Sequence, residues 1–295
     1  DGTNSIAKNH LKTKVDKSNW RIHSFDEPGK SLAVNQAIEM IDTQFFVMMD
    51  ADSHCPPDSL ERLIQWFEDP SIGAVCAHQS SKIDGRSDPY RSRFNIIRVG
   101  ESVTHSTPIF EGSLCAFRLE AIGSCRVNPQ INADDSQLAM IAISNGFRSV
   151  MDPELAFSEP IKEISRKRRI RRSQGLSRAL WENRKLVRNA HKMRLIMNHA
   201  LYFHIIMPWL ILISLASIVF PLIGEIYFSG IGALHIQIAL SSILFVVPIT
   251  RTGRGLISGT SILLESHARL LLGQRLQVWV PDRRYSVGHS GKVEK

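Results

Sequence analysis

From Leu201 to Ile223 the chain runs 23 residues without a formal charge, and Ile231 to Ile249 adds 19 more. About 20 helical residues cross the hydrocarbon core of a bilayer, so these two runs predict a pair of membrane helices. Pro208 and Pro221 in the first, and His235 and Gln237 in the second, are tolerated when neighbouring groups satisfy them. A buried globular hairpin is the alternative, and the flanking charge argues against it. Residues 162–194 hold 13 Lys/Arg against only Glu163 and Glu182, and this stripe ends seven residues before Leu201. Arg251 and Arg254 follow the second run. Positive flanks stay in the cytoplasm, so both ends of the hairpin are expected there, in a multi-pass protein whose larger part is cytoplasmic. The whole chain carries +8, so outside the stripe it is slightly acidic. A stripe placed directly before a membrane run suits anionic lipid, at about 1 kcal/mol per basic residue, better than nucleic acid. Membrane lipids are therefore the expected partner and nucleic acid is not. Beyond the hairpin, Leu263, Leu264 and Leu270–Leu272 mix with Glu265, His267 and Arg269, which suits an interfacial helix, with Trp279 near the interface and a cytoplasmic tail after it.

The first 160 residues read differently: short apolar runs alternate with amphipathic stretches, the pattern of an α/β domain on a mostly parallel sheet. Leu32, Val34, Ala37, Ile38 and Ile41 suit a helix, and Phe45–Met49 is too short for one and predicts a buried strand ending at Asp50. Pro56-Pro57-Asp58 opens a second helix through Phe67 with Asp58 as N-cap, and residues 73–77 read as the next strand. Asp134 to Asn145 reads as a helix closed by Gly146, followed by a strand over residues 147–151. Cys55, Cys76, Cys115 and Cys125 match neither a zinc spacing nor a redox pair and fit a reduced setting. His54, His78 and His105 show no metal-ligand spacing.

The sharpest chemical feature is Asp50-Ala51-Asp52, two carboxylates at a strand's carboxyl end, where open α/β sheets bind ligands. Mg²⁺ or Mn²⁺ is typically held by one or two carboxylates plus substrate phosphates, so the pattern suggests a nucleotide diphosphate site with Asp52 and Asp50 as metal ligands. On its own an Asp-Ala-Asp is also an ordinary solvated loop. Asp134 and Asp135 open the later helix, where acids serve equally as structural first-turn or cap residues.

In chain order these residues resemble the family 2 inverting glycosyltransferases of the GT-A fold. Asp1-Gly2-Thr3-Asn4 is similar to the end of that family's D-D-G-S segment, and Gly29-Lys30-Ser31-Leu32-Ala33-Val34-Asn35 to its G-K-x-x-A-L-N stretch. Asp50-Ala51-Asp52 matches the metal motif, Glu111–Arg118 the small-residue segment lining donor and acceptor, and Ala133–Leu138 the E-D-x-x-L motif. The resemblance implies a nucleotide-sugar donor, UDP favoured, bound by Asp1, Lys30, Asp50, Gly112 and Arg171. It also implies a divalent metal, Asp135 as catalytic base and Asp134 as the acid beside it. Inverting transfer needs such a base for the acceptor hydroxyl and positive charge on the departing diphosphate.

The next family motif, Q-x-x-R-W, is only partly kept. Arg171 stands for its arginine, while Arg168 and Arg172 replace the glutamine and the tryptophan, ahead of Gly175. Without that aromatic, and with two spans, single-sugar transfer to a lipid-linked or glycan acceptor is favoured over a processive polysaccharide synthase. A non-catalytic membrane scaffold is the reading outside the enzyme class. The resemblance also places the family's first strand and helix ahead of Asp1, so the chain reads as part of a longer protein. The expected organisation is a catalytic domain over 1–160, a basic juxtamembrane segment over 161–200, two membrane helices over 201–249, and an interfacial helix with tail over 250–295.

Overall fold

The computed structural model describes residues 2–14, 16, 20–25, 27–80, 82–83, 86–87, 89–159, 165–188, 191–216 and 251–276. Asp1, the second apolar run (231–249) and Trp279 lie outside the described residues, so the expectations placed on them are untouched. In chain order the elements are α1 (Thr3–Lys14), α2 (Lys30–Glu39), β1 (Phe45–Met49), α3 (Ser59–Gln65), β2 (Ile72–Gln79), a small ribbon of β3 (Lys82–Ile83) and β4 (Arg86–Ser87), and α4 (Pro89–Thr104). There follow β5 (Leu114–Arg118), α5 (Leu119–Ile122), α6 (Asp134–Ser144), β6 (Arg148–Phe157), α7 (Arg166–Val187), α8 (His191–Leu201) and α9 (Arg251–Leu271).

The sheet order is β1-β5-β2-β6. β5 runs antiparallel to both neighbours, and only β2 and β6 pair in parallel. This corrects the mostly parallel sheet: the described sheet is mixed. β1 also differs from a fully buried strand. It lies at one edge of the described sheet, partly covered along its length, with Met49 exposed. Its boundaries, however, are those the apolar run predicts.

Alternation along the strands makes two apolar layers. Ala74, Cys76, Cys115, Phe117 and Met151 face α2 and α6 through Ile38, Leu138, Ile141 and Ala142. Val75, Ala77, Leu114, Ala116 and Val150 face α3 and the 3₁₀ turn after it through Leu63 and Phe67. The period-2 geometry of a strand produces this split directly. α6 ends as expected, with Gly146 at φ 90° just past Asn145. Asp58 occupies the N-cap position of α3 but makes no side-chain cap hydrogen bond, and Arg62 N–H donates to its backbone carbonyl at 3.0 Å instead.

A third cluster joins α6, α7 and α8 through Met140, Ile143, Leu180, Val187, Met193 and Met197. It leads into one continuous helix, Lys192–Ala216, 25 residues long and apolar enough to cross a membrane. Much of its surface is exposed, including Leu195, Ile206, Leu210, Leu212 and Ile213. The helix begins inside the basic stripe, well before Leu201. Residues Tyr202–Ile206 form a π turn, immediately ahead of Pro208. Proline lacks the N–H that would bond the His204 carbonyl, and a wider turn accommodates that loss. α9 lies along α7, held by Arg166–Glu265 at 2.7 Å and Ser173–Ser266 at 3.0 Å.

Candidate active site

Four chain segments converge at the carboxyl end of β1. The β1–β5 ladder extends one step past its strands, with Asp50 N–H donating to Ser113 O at 3.2 Å. Asp50 is thereby fixed beside Gly112 and Ser113. Lys30, first residue of α2, reaches across and donates to Asp50 Oδ1 at 2.7 Å. Its Nζ also lies 3.6 Å from Asp134 Oδ2, in the first turn of α6. Asp134 is buried, and that oxygen accepts no hydrogen bond among the described residues.

Asp135 follows on the same turn and points toward the β5 side. A Cβ added at Gly112 would sit 2.8 Å from Asp135 Oδ2, so glycine at 112 leaves the space the carboxylate fills. Burial, followed by the like charge of Asp134, pushes the Asp135 carboxyl up to about 7, against the pull of Lys30. Burial alone would lower the Lys30 ammonium, but Asp134 and Asp50 raise it and keep it charged. Arg171, half-buried on α7, lies within the field of Asp134. Burial and the Arg172 and Arg168 guanidiniums lower its pKa, and its Nε has no hydrogen-bond partner among the described residues.

Neither acid is the helix cap. The N-cap of α6 is Ala133, with φ 151° and ψ 52°, a backbone conformation that L-residues seldom adopt. The loop before it is laced to its surroundings. Ser31 Oγ donates to Ile131 O at 3.0 Å, the Asn35 side chain donates to Val127 O at 2.9 Å and accepts from Val127 N–H at 3.0 Å, and Gln137 accepts from Asn128 N–H at 2.8 Å. Ser31 and Asn35 of the Gly29–Asn35 stretch thus hold the loop that presents the acids, while Lys30 faces them.

Asp52 stands apart. It is exposed in the turn after β1, and its carboxylate makes no hydrogen bond or ion pair among the described residues. No set of three or more His, Cys, Asp or Glu side chains is gathered for a metal among the described residues. Magnesium or manganese needs only one or two carboxylates when substrate phosphates complete the shell. Asp52 fits that requirement; Asp50 has Oδ1 committed to Lys30.

One residue of this edge, Glu159, carries no sequence signal. Ser113 Oγ donates to Glu159 Oε1 at 2.6 Å and lies 3.4 Å from Asp50 Oδ2. Glu159 arrives there because the His54–Ser158 bridge ties the end of β6 to the turn after β1. Glu111 pairs with Arg98 of α4. Cys115 is fully buried, and burial above all raises its thiol well above the usual value, which keeps it in the weakly nucleophilic protonated form. All four cysteines are free thiols.

The family model described as glycosyl transferase family 2 matches residues 1–125. The hyaluronan synthase of Streptococcus pyogenes is 29% identical over 101 residues, which is 32% of this chain and 24% of the synthase, so the match spans about a quarter of that relative. The mannosyltransferase PcManGT of Pyrobaculum calidifontis, solved with GDP-Man and Mn²⁺, superposes with a TM-score of 0.80 at 23% identity, covering 93% of this chain and 75% of that one. At that identity the likeness is one of fold: the α/β architecture of the GT-A type, here with a mixed sheet.

Proposed function

The chain carries a family 2 glycosyltransferase segment over residues 1–125, and from that premise we propose an inverting, metal-dependent glycosyltransferase. It moves one sugar from a nucleoside diphosphate donor, UDP favoured, to a lipid-linked or membrane-proximal acceptor. One observation carries the reading: Asp135, its carboxyl raised to about 7, lies against Gly112 one residue from Asp134, which faces Lys30. A carboxylate with a pKa near the working pH is suited to take a proton from an acceptor hydroxyl.

In this reading Asp135 removes that proton as the oxygen attacks the anomeric carbon. Asp134 raises the proton affinity of Asp135 and anchors Lys30. Lys30 and Arg171 supply positive charge for the departing diphosphate, the arginine through a fork suited to phosphate oxygens. Asp50 orients Lys30 and serves the ribose, and Gly112, by carrying no side chain, lets the base lie against the segment that lines the donor. Asp52, with Asp50 behind it, would hold Mg²⁺ or Mn²⁺, which when bound neutralises diphosphate charge.

The proposal extends to topology: Lys192–Ala216 and the second apolar run cross the membrane as a hairpin, with the catalytic face cytoplasmic. The domain limits at 160, 200 and 249 belong to the same proposal. A processive polysaccharide synthase is the second reading, and a hyaluronan synthase is among the similar proteins. Arg172, exposed where the resemblance puts an acceptor-stacking tryptophan, favours single transfer. Mass spectrometry of lipid-linked products from cells with and without the full-length gene tests this. A product one sugar heavier than its acceptor is expected; a ladder of heavier products would establish elongation, and no difference would remove the transfer reading.

A further inference from the structure

The loop presenting the acids is gripped from a second direction, by the residues that follow α9. Gly175 on α7 lies so close to Asn132 that an added Cβ would fall 1.5 Å from the Asn132 carbonyl oxygen. The Asn132 side chain turns the other way and donates from Nδ2 to Leu276 O at 2.7 Å. The Leu276 N–H in turn donates to Gln174 Oε1 at 3.0 Å. Both backbone groups of Leu276 are therefore held by residues of the active-site side of the molecule.

Gln174 is buried and uses both ends of its amide. While Oε1 accepts from Leu276, Nε2 donates to Gln274 O at 3.1 Å and to Ser266 O at 3.3 Å. Removing such a group leaves buried partners unsatisfied, a larger penalty than the bond itself contributes. Asn132 immediately precedes Ala133, whose backbone stands at φ 151°, and Ala133 immediately precedes Asp134 and Asp135. A residue held in a sparsely populated conformation persists when its surroundings over-determine it. The clasp on Asn132 is one such determinant, and the contacts from Ser31 and Gln137 to Ile131 O are the other.

From this geometry we infer that Gln174 and Asn132 are positioning residues: by clamping the Leu276 peptide they set the loop that carries Asp134 and Asp135, and so couple the acids to the helix that follows the apolar hairpin run. The kinetic consequence rests on the transfer reading given above; the mechanical one does not. The apolar cluster that fastens α7 to α6 gives the clasp a rigid base, because Leu180 and Ala179 pack there one turn beyond Gly175. The side-chain hydrogen bonds of Gln174 and Asn132 go to Leu276, Gln274 and Ser266, and not to Lys30, Asp50, Asp134 or Asp135, so their effect travels through Ala133.

Hydrogen exchange of the full-length protein in detergent tests the inference, using Gln174→Ala and, as a variant that leaves the sequence of α7 unaltered, Leu276→Pro, which removes the clamped N–H and also fixes the backbone at 275–276. In both, peptides covering 274–276 and 130–137 should exchange faster together. The transfer rate should fall about tenfold, the scale of a modest misplacement of a reacting group, with donor KM moving less than about twofold. Gln174→Glu, which keeps the acceptor for Leu276, should slow exchange at 274–276 relative to Gln174→Ala. If 274–276 loosens while 130–137 exchanges as in the wild type, the clasp holds only the segment after α9 and the inference is overturned. Coupled exchange in a protein without transferase activity would retain the clasp and refute the proposed function instead.

Discussion

Replacing Gly175 by alanine is the sharpest test of how the loop ahead of Asp134 is seated. The new Cβ would lie 1.5 Å from Asn132 O and 2.6 Å from Asn132 C, about 2 Å inside an ordinary contact with the oxygen. The obstruction is backbone, which cannot swing aside as a side chain can, so α7 or the loop must shift. Overpacking of this kind typically costs 1–3 kcal/mol, and a backbone obstruction belongs near ~3 kcal/mol. Alanine recovers about 1 kcal/mol of that through its better helix propensity. The net loss of ~2 kcal/mol corresponds, in a domain of this size, to roughly 4–8 °C in Tm. Gly100→Ala in α4 is the control, because nothing lies within 4 Å of its added Cβ. There the propensity gain acts alone and Tm should rise by about 2–4 °C. Both are read by thermal unfolding in one detergent at one scan rate. A Gly175→Ala protein as stable as the wild type, or two glycines that respond alike, would refute the close approach of α7 to Asn132.

Three further outcomes follow from the site. Asp52→Ala should abolish Mn²⁺-dependent donor binding in calorimetry while Asp50→Ala weakens it less; unchanged metal-dependent affinity in Asp52→Ala would rule out its role as ligand. Because the Asp135 carboxyl is raised from 3.8 to about 7, the folded state holds that proton more tightly than the unfolded chain. Its contribution to stability is therefore full at low pH and is lost as pH rises from about 4 through about 7, while the transfer rate rises over the upper part of that window. Asp135→Asn should flatten the stability slope, and a slope that persists would place the titrating group elsewhere. In a cysteine-free background, single cysteines at Ser229 and Ser290 should fall on opposite sides of the membrane, only the former reacting with an impermeant reagent in intact cells; reaction of both would exclude the hairpin.

What the sequence conveys here depends on how local the determinant is. Phe45–Met49 is legible because five apolar residues end abruptly at Asp50, and the end of α6 is legible because Gly146 takes the positive φ a helix terminus uses. β5 was harder to see. Its last residue is a buried arginine, a residue type that local apolar patterning does not place in a strand. In the fold the Arg118 guanidinium stacks over Phe45 at 5.0 Å and Phe67 at 5.5 Å, and donates to Phe67 O at 2.8 Å and Ile72 O at 3.2 Å. Those partners lie 46 to 51 residues away in sequence for the hydrogen bonds, beyond any local pattern. Without β5 the antiparallel direction of an inner strand is not legible, and the sheet reads as mostly parallel.

The site divides in the same way. Lys30, Asp50, Gly112, Asp134, Asp135 and Arg171 were expected on resemblance, and the fold brings Lys30, Asp50 and Asp134 into contact and Gly112 against Asp135. Glu159 had no motif around it and reaches Ser113 only through a tertiary bridge. The role of Asn132 was equally hidden, because its partner Leu276 is 144 residues away.

The central claim is that Asp135 acts as the base, and one comparison tests it most directly: donor affinity and transfer rate of full-length Asp135→Asn beside Asp134→Asn. The substitution preserves size and removes the proton acceptor. Because the N-cap of α6 is Ala133, no capping bond is lost with it. Asp135→Asn should bind donor almost as the wild type does while transfer falls about 10²-fold or more, the usual scale for a positioned base. Transfer retained in Asp135→Asn and lost in Asp134→Asn with donor binding intact would contradict the account and move the base to Asp134.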